Sequence, residues 1–502
     1  MEAAVDTGDI LWQDLFPIAP GETAFTLNAK CYEHGVSSFA HLVDALADGS
    51  VQRQPQPAEG HSYFGRYERP PAAGLIQWDR PAEDIDALVR ALDFGPYTNP
   101  LLLPKLMIGG QVFALQKITV LNSMSGAAPG TITTFDGQHL QIATASQDVI
   151  VEGLVTLSGQ PVALADVRGL RAGAALDRLD DETAARLTEL NRTVCRHEAF
   201  WVKRLQNIVH PEVPYATHSG GQPRQLESLD QPLPAGMNGS PDTLLAAFAI
   251  YLARISGSYR FDLGYSDTAL AQAVSGFEHL FAPVVPLRVS LDPNDSTDAA
   301  VRALADQVAK ARKRTTFARD TLARYPELKA AAARTAEALL PVAVELVDDL
   351  DSAAPRAQGD LVVLLAGDAC RWVYDASVYS ADSIRAMQQQ FAVLLRSMTA
   401  AQPARAVATL SLLSDAERRQ VLVDWNATAT DYPRAVCVHQ QFEQQAARTP
   451  DAPAVAFRSQ TLTYRELNRR ANQLAHHLRG LGVGSDHKVG LYVERSIEMM
   501  VG

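Results

Sequence analysis

The residues near the start of the chain whose types could do chemistry are Asp6-Thr7-Gly8-Asp9. Asp and Thr side chains bond to the backbone just ahead of them and Gly accepts positive φ, so this order makes a turn. Read from residue types alone, it is a turn that presents carboxylates. His197, His210, His218 and His279 are scattered, and each reads as a surface or packed histidine. His476-His477 is the one adjacent pair, and no Asp-Gly follows it. Cys31, Cys195, Cys370 and Cys437 lie far apart with no CxxC pair, which suggests neither a zinc site nor a disulfide framework. They read as reduced thiols of a cytoplasmic protein, most of them buried. Lys310, Arg312, Lys313 and Arg314 crowd one stretch, and such a run reads as a solvated helix face.

The elements that must position these residues follow from hydrophobic period and turn signals. Helices are predicted over Thr23–Leu46, Pro81–Leu92, Asp242–Ser256, Thr297–Leu322 and Ala381–Thr399. From Gln111 to Leu164, short strands are punctuated by Gly109-Gly110, Pro129-Gly130 and Asp136-Gly137. That pattern predicts a small open β-barrel over about 100–165. A connector over 400–435 leads to helices at Gln440–Arg448 and Tyr464–Gly480 and strands at Ala454–Phe457 and Lys488–Val493. This βαβ order predicts a parallel sheet. The expected domains are 1–165, 180–425 and 426–502. A turn motif already at residue 6, and a last strand running into an unfinished helix, make the chain read as an internal piece of a longer protein.

At 502 residues, two to four domains are expected. The net charge of −12 argues against a nucleic-acid partner, because phosphate binding wants clustered Lys and Arg. No apolar run approaches the length of a membrane span. The opening MEAAVDTGDILW lacks the basic and apolar regions of a signal peptide.

The first block resembles the C-terminal part of the formyltransferase family. The resemblance rests on Val5-Asp6-Thr7-Gly8-Asp9-Ile10, Phe16-Pro17-Ile18, Glu22-Thr23-Ala24 and Thr26-Leu27-Asn28-Ala29-Lys30. It continues through Gly74-Leu75-Ile76-Gln77-Trp78, Leu88-Val89-Arg90-Ala91-Leu92 and Ala128-Pro129-Gly130-Thr131-Ile132. The resemblance implies that Asp6 is catalytic. In the implied reaction an amine attacks the formyl group of 10-formyltetrahydrofolate, and a histidinium and an asparagine amide stabilise the oxyanion. The carboxylate keeps that histidine charged. The family's Asn-x-His pair and folate-binding half are not in this sequence, so Asp6 alone completes no active site. Over residues 61–165, Lys and Arg number six and Asp and Glu nine. An acidic barrel suits tRNA poorly, which leaves a small amine or a carrier-bound aminoacyl group as the acceptor.

The second block resembles the C-terminal lobe of a condensation domain, which is CAT-like. It carries Phe200-Trp201-Val202-Lys203-Arg204-Leu205, Leu244 to Arg254, Phe261-Asp262-Leu263-Gly264-Tyr265, Pro286-Leu287-Arg288-Val289 and Trp372-Val373-Tyr374-Asp375. The family's His-His-x-x-x-Asp-Gly motif is missing, which implies a lobe that forms no peptide bond and serves as a spacer. The third block resembles the start of an adenylation (AMP-binding) domain. Its residues include Trp425-Asn426-Ala427-Thr428, Thr449-Pro450-Asp451 and Leu462-Thr463-Tyr464-Arg465-Glu466-Leu467-Asn468. Together the three imply a fragment of a nonribosomal peptide synthetase: multidomain α/β and α+β, with the adenylate-forming α/β part truncated. The implied cofactors are 10-formyltetrahydrofolate, ATP and Mg, with phosphopantetheine on a partner carrier protein domain. This fragment alone is expected to be inactive. A scaffold with a decayed formyltransferase, or a standalone formyltransferase acting on a nucleotide sugar or tRNA, are the alternatives.

Overall fold

The computed structural model describes residues 8–56, 62, 64–217, 223–234, 240–329, 331, 339–367, 369–400 and 405–502. They fall into two compact units that part after Ser414.

The first unit opens with helix α1 (Ala24–Asp48). Thr23 starts it, because its hydroxyl accepts from the Thr26 N–H while the Thr26 hydroxyl accepts from the Thr23 N–H. Gly49 ends it in the left-handed conformation. Helix α2 (Ala82–Ala91) turns Ile85 and Val89 inward. Six short strands follow: β1 (Lys105–Ile108), β2 (Gln111–Val120), β3 (Ile132–Phe135), β4 (Leu140–Ile142), β5 (Val149–Val155) and β6 (Pro161–Val162). They pair antiparallel in the order β1-β2-β5-β4-β3, with β6 beside β5. This is the expected small half-barrel. Trp78 fills its core with Ile76, Val89 and Ile132, and Gly130 lies against the indole. Gly74 has φ +80°, and a Cβ there would meet the Leu103 carbonyl at 2.7 Å, so this position takes glycine alone.

The lobe beyond the barrel starts with α3 (Asp181–Val194) and α4 (Glu198–Gln206). Its sheet contains β7 (Leu226–Pro232), β8 (Arg260–Ser266), β9 (Val285–Ser290), β10 (Val342–Leu346), β11 (Leu361–Ala366) and β12 (Ala369–Asp375). The order is β7-β12-β11-β10-β8-β9. Strand β10 is parallel to both its neighbours and the other pairs are antiparallel. Helix α5 (Pro241–Ser256) is buried along every residue from Leu244 to Ala253, which is why its apolar pattern runs all the way round. Helices α6 (Thr268–Ala273), α7 (Thr297–Arg314), α8 (Thr321–Arg324) and α9 (Ala381–Ala400) complete the lobe.

The helix predicted over Thr297–Leu322 is two helices. It stops at Arg314 because Thr315 takes φ +56° and the Thr316 hydroxyl donates to the Ala282 carbonyl at 2.6 Å. The chain then bridges Phe281 through Ala318 before α8 begins. Tertiary pairing to 280–282 overrides the helical period there.

The second unit holds α10 (Asp415–Arg419), α11 (Val438–Arg448), the hairpin β13 (Pro453–Phe457) and β14 (Gln460–Thr463), α12 (Tyr464–Gly480) and α13 (Ile497–Val501). Strand β13 pairs antiparallel with β14. The expected parallel sheet is not formed among the described residues, and 488–493 is not a strand. Val489, Leu491 and Tyr492 are exposed. A strand exists through its neighbours' hydrogen bonds, and no strand of the unit lies beside this segment. No helix among the described residues is long and apolar enough to cross a membrane.

Candidate functional site

Asp6, the site residue expected from the sequence, lies outside the described residues. The chain from Gly8 onward is pinned. The Gln56 side chain donates to the Gly8 carbonyl at 2.8 Å, and Ile10 and Gln54 exchange backbone hydrogen bonds at 2.7 and 2.9 Å. Nearby, the His34 Nδ1 lies 2.7 Å from Asp14, and its ring stacks on Phe16 with centroids 4.4 Å apart. Asp14 and His34 are far apart in sequence and no motif links them, so residue order carries no signal for the pair. Both side chains are partly solvated, and the pair is an ordinary surface contact.

The strongest electrostatic feature lies where the half-barrel meets the lobe. Lys105 on β1 reaches Asp320 at 2.6 Å. Arg324 on α8 donates from Nε to Asp320 at 3.0 Å and from its end nitrogens to Glu198 on α4 at 3.0 and 2.5 Å. The Tyr325 hydroxyl donates to Glu198 at 2.6 Å. Backbone closes the set: Arg324 also donates to the Asn99 carbonyl, Lys105 to the Ala73 carbonyl, and the Leu103 N–H to Asp320. Burial alone would raise the Asp320 carboxyl, but the Arg324 and Lys105 charges outweigh it and hold the group well below the usual range. Burial pulls the Lys105 ammonium down, with Asp320 offsetting part of that. Two cations share the one carboxylate, so we read the three groups as ionised. Sequence reasoning missed this set. Its signals were a lone lysine inside Leu101–Ile108 and the i,i+4 pair Asp320/Arg324.

Beside this network lies a cavity of about 790 Å³ between barrel strands and lobe. Of the histidines, only His279 lines it. His210 sits 3.1 Å from the Leu339 carbonyl, and His218 lies outside the described residues. His197 is lowered by burial and then by the Arg314, Lys313 and Arg196 charges. The structure does not bring His197, His210 and His279 together. No group of His, Cys, Asp or Glu among the described residues could hold a metal ion.

The resemblance motifs of the lobe are structural. Trp201 is fully buried and lies against Phe200 and Phe317. Asp262 and Arg288 face each other across β8 and β9 and pair at 2.8 and 2.9 Å. The basic run is only partly a solvated face. Arg312 pairs with Asp267 at 2.8 Å and Asp242 at 3.2 Å, and Arg314 stacks over Phe200 at 4.1 Å. The spacing of the run could not show partners that come from other elements. Of the four free cysteines, Cys195 and Cys370 are buried while Cys31 and Cys437 are exposed. Half of them are buried rather than most, because Cys31 faces outward on α1 and Cys437 caps α11.

Family models agree with two of these regions. A formyl transferase C-terminal domain matches residues 70–168, and an AMP-binding enzyme matches residues 442–502. A linear gramicidin synthase polypeptide of Brevibacillus parabrevis is 34% identical over 272 residues, which is 51% of this chain and 4% of the relative. Tyrocidine synthase 3 of the same organism is 49% identical over 130 residues, 26% of this chain and 2% of the relative. Chondramide synthase cmdD of Chondromyces crocatus is 29% identical over 355 residues, 61% of this chain and 9% of the relative. The chain thus spans less than a tenth of the length of these relatives. The solved nonribosomal peptide synthetase FmoA3 aligns over 67% of this chain and 40% of its own, at 23% identity and a TM-score of 0.44.

Matches to two different domain types on one chain mark a multidomain protein. The chain is similar to segments of nonribosomal peptide synthetases, with a lobe between its two matched segments.

Proposed function

We propose that the protein serves in a formylating peptide-synthetase module. It transfers a formyl group from 10-formyltetrahydrofolate to a small amine or a carrier-bound aminoacyl group, and it activates an amino acid with ATP and Mg. The observation that supports this is the co-occurrence of the formyl transferase match at 70–168 and the AMP-binding match at 442–502. The partner is a carrier protein domain bearing phosphopantetheine. Asp6 is the residue assigned to catalysis, through the charge and orientation of a histidine. No described residue is assigned to the folate or to the nucleotide. The condensation-like lobe acts as a spacer, because the paired-histidine motif that peptide-bond formation needs is not in it.

The test is formyl transfer by the intact protein from 10-formyltetrahydrofolate to an aminoacylated carrier, with Asp6→Asn alongside. Loss of a positioned acid–base group lowers the rate by about 10²–10⁴-fold, and that drop is expected. Amino acid activation without any formyl transfer would make the first block a relic and favour the scaffold reading. Condensation activity traced to the lobe would end its assignment as a spacer.

A further inference from the structure

The cavity between barrel and lobe has one wall from each. The start of β2 and the turn after β5 contribute Phe113 and Leu157, and the lobe contributes Val274, Phe317 and Leu340. Its size, about 790 Å³, is within the range of small-molecule sites, which are mostly apolar with a few placed polar groups. One such group is Arg319. Its Nε donates to the Glu278 carbonyl at 2.8 Å. No carboxylate among the described residues makes an ion pair with its guanidinium, although the side chain is partly buried and lines the cavity. The other arginine of the wall, Arg356, is already occupied by Glu345 at 3.2 Å.

Arg319 is also held rigidly. Its N–H donates to the Leu280 carbonyl at 2.9 Å, and Ala282 donates to Phe317 at 3.0 Å. The backbone leading into Arg319 is zipped to 280–282, and the Nε bond to the Glu278 carbonyl orients the side chain. Burial lowers its pKa, with Glu278 offsetting part of that. Arginine remains protonated in proteins, so a charge is kept in a partly dry place with one backbone acceptor, and with the Glu278 carboxylate of the same wall acting on it without an ion pair. A partly buried charge of this kind is costly unless paired, and a planar fork suits an oxoanion in two-point contact.

We propose that this cavity binds an amphipathic oxoanion, a carboxylate or phosphate head on Arg319 and an apolar body against Phe113, Leu157 and Leu340. The site needs both walls, so it exists only where this barrel and this lobe are joined. It is independent of the formyl-transfer reading.

The test is titration calorimetry on the full chain with octanoate, octyl phosphate and the neutral octanamide. Octanoate or octyl phosphate is expected to bind, and whichever binds more tightly identifies the head group. Octanamide should bind about tenfold or more weakly, the worth of a charged hydrogen bond. Arg319→Met should weaken the anion by a similar factor and leave octanamide unchanged. Ala271→Trp fills the cavity from α6 while leaving Arg319 in place and should abolish binding of all three. Both variants are checked for a wild-type thermal transition, and the octanoate–octanamide comparison needs no variant at all. Equal binding of octanoate and octanamide, full affinity in Arg319→Met, undiminished binding in Ala271→Trp, or no binding of either anion would each overturn the proposal.

Discussion

A thiol's reactivity follows its thiolate fraction, and burial suppresses that fraction. Cys370 is fully buried on β12 between β11 and β7, and burial pushes its thiol up to about 12. Cys195 is raised as well, again by burial first. Cys31 and Cys437 are exposed. A neutral alkylating reagent at about pH 7.5, below the ordinary thiol pKa, should therefore label Cys31 and Cys437 in the native protein. Cys195 and Cys370 should react only in denaturant, as read by peptide mass spectrometry. Labelling of Cys370 without denaturant would contradict its burial. The absence of a CxxC pair was plain from the sequence. Which thiols face water was not, because that depends on which side of α1 and which end of α11 meets the core.

Strand β8 carries a close approach in the lobe. A Cβ at Gly264 would lie 2.7 Å from the Ala343 Cβ on β10 and 3.1 Å from Val284. Gly264 pairs in register with Ala343, so two small residues let parallel strands and the chain above them close. Gly264→Val should cost about 1–3 kcal/mol from overpacking, or more if the strand pairing opens, measured by urea unfolding. Gly367→Ala, at an open turn, serves as a milder comparison whose cost comes only from its φ of +46°. Helices α5, α9 and α12 and the half-barrel were legible as elements, because each has a clear period or turn signal, whereas the segment around Gly264 was carried only by its resemblance. The break after Arg314 was not, since Thr316 bonding to Ala282 is a contact between distant segments. The strand expected at 488–493 failed for the opposite reason: the local pattern was right for a strand, but no strand lies beside it. The capping box at Thr463 and Glu466 starts the helix that the sequence placed at Tyr464–Gly480. Asp6 lies outside the described residues, and the cluster of Lys105, Glu198, Asp320 and Arg324 was not legible, because it is assembled from distant segments.

At the scale of the molecule, those four residues join the half-barrel to the lobe. Asp320 and Arg324 are fully buried, and Lys105 is 2% exposed. A buried ion pair is weak evidence of net stability, but removing one partner leaves the others uncompensated and costs about 3–5 kcal/mol. Asp320→Asn strands Lys105 and part of Arg324, so a loss of that size is expected at neutral pH. The network spans both parts, so hydrogen exchange should speed up together at Ile118 in the barrel and Val363 in the lobe. Faster exchange in one part alone would show that the two open independently. The pH dependence has a definite sign. The folded-state pKa of Asp320 is depressed, so its contribution is present above the unfolded value of about 3.9 and is lost as pH falls through the folded value. The stability gap between wild type and Asp320→Asn should therefore hold from about pH 7 to about pH 4 and narrow in more acidic solution. A gap that closes between about pH 7 and about pH 5, above the ordinary carboxyl range, would mean the carboxyl is not held ionised by Arg324 and Lys105.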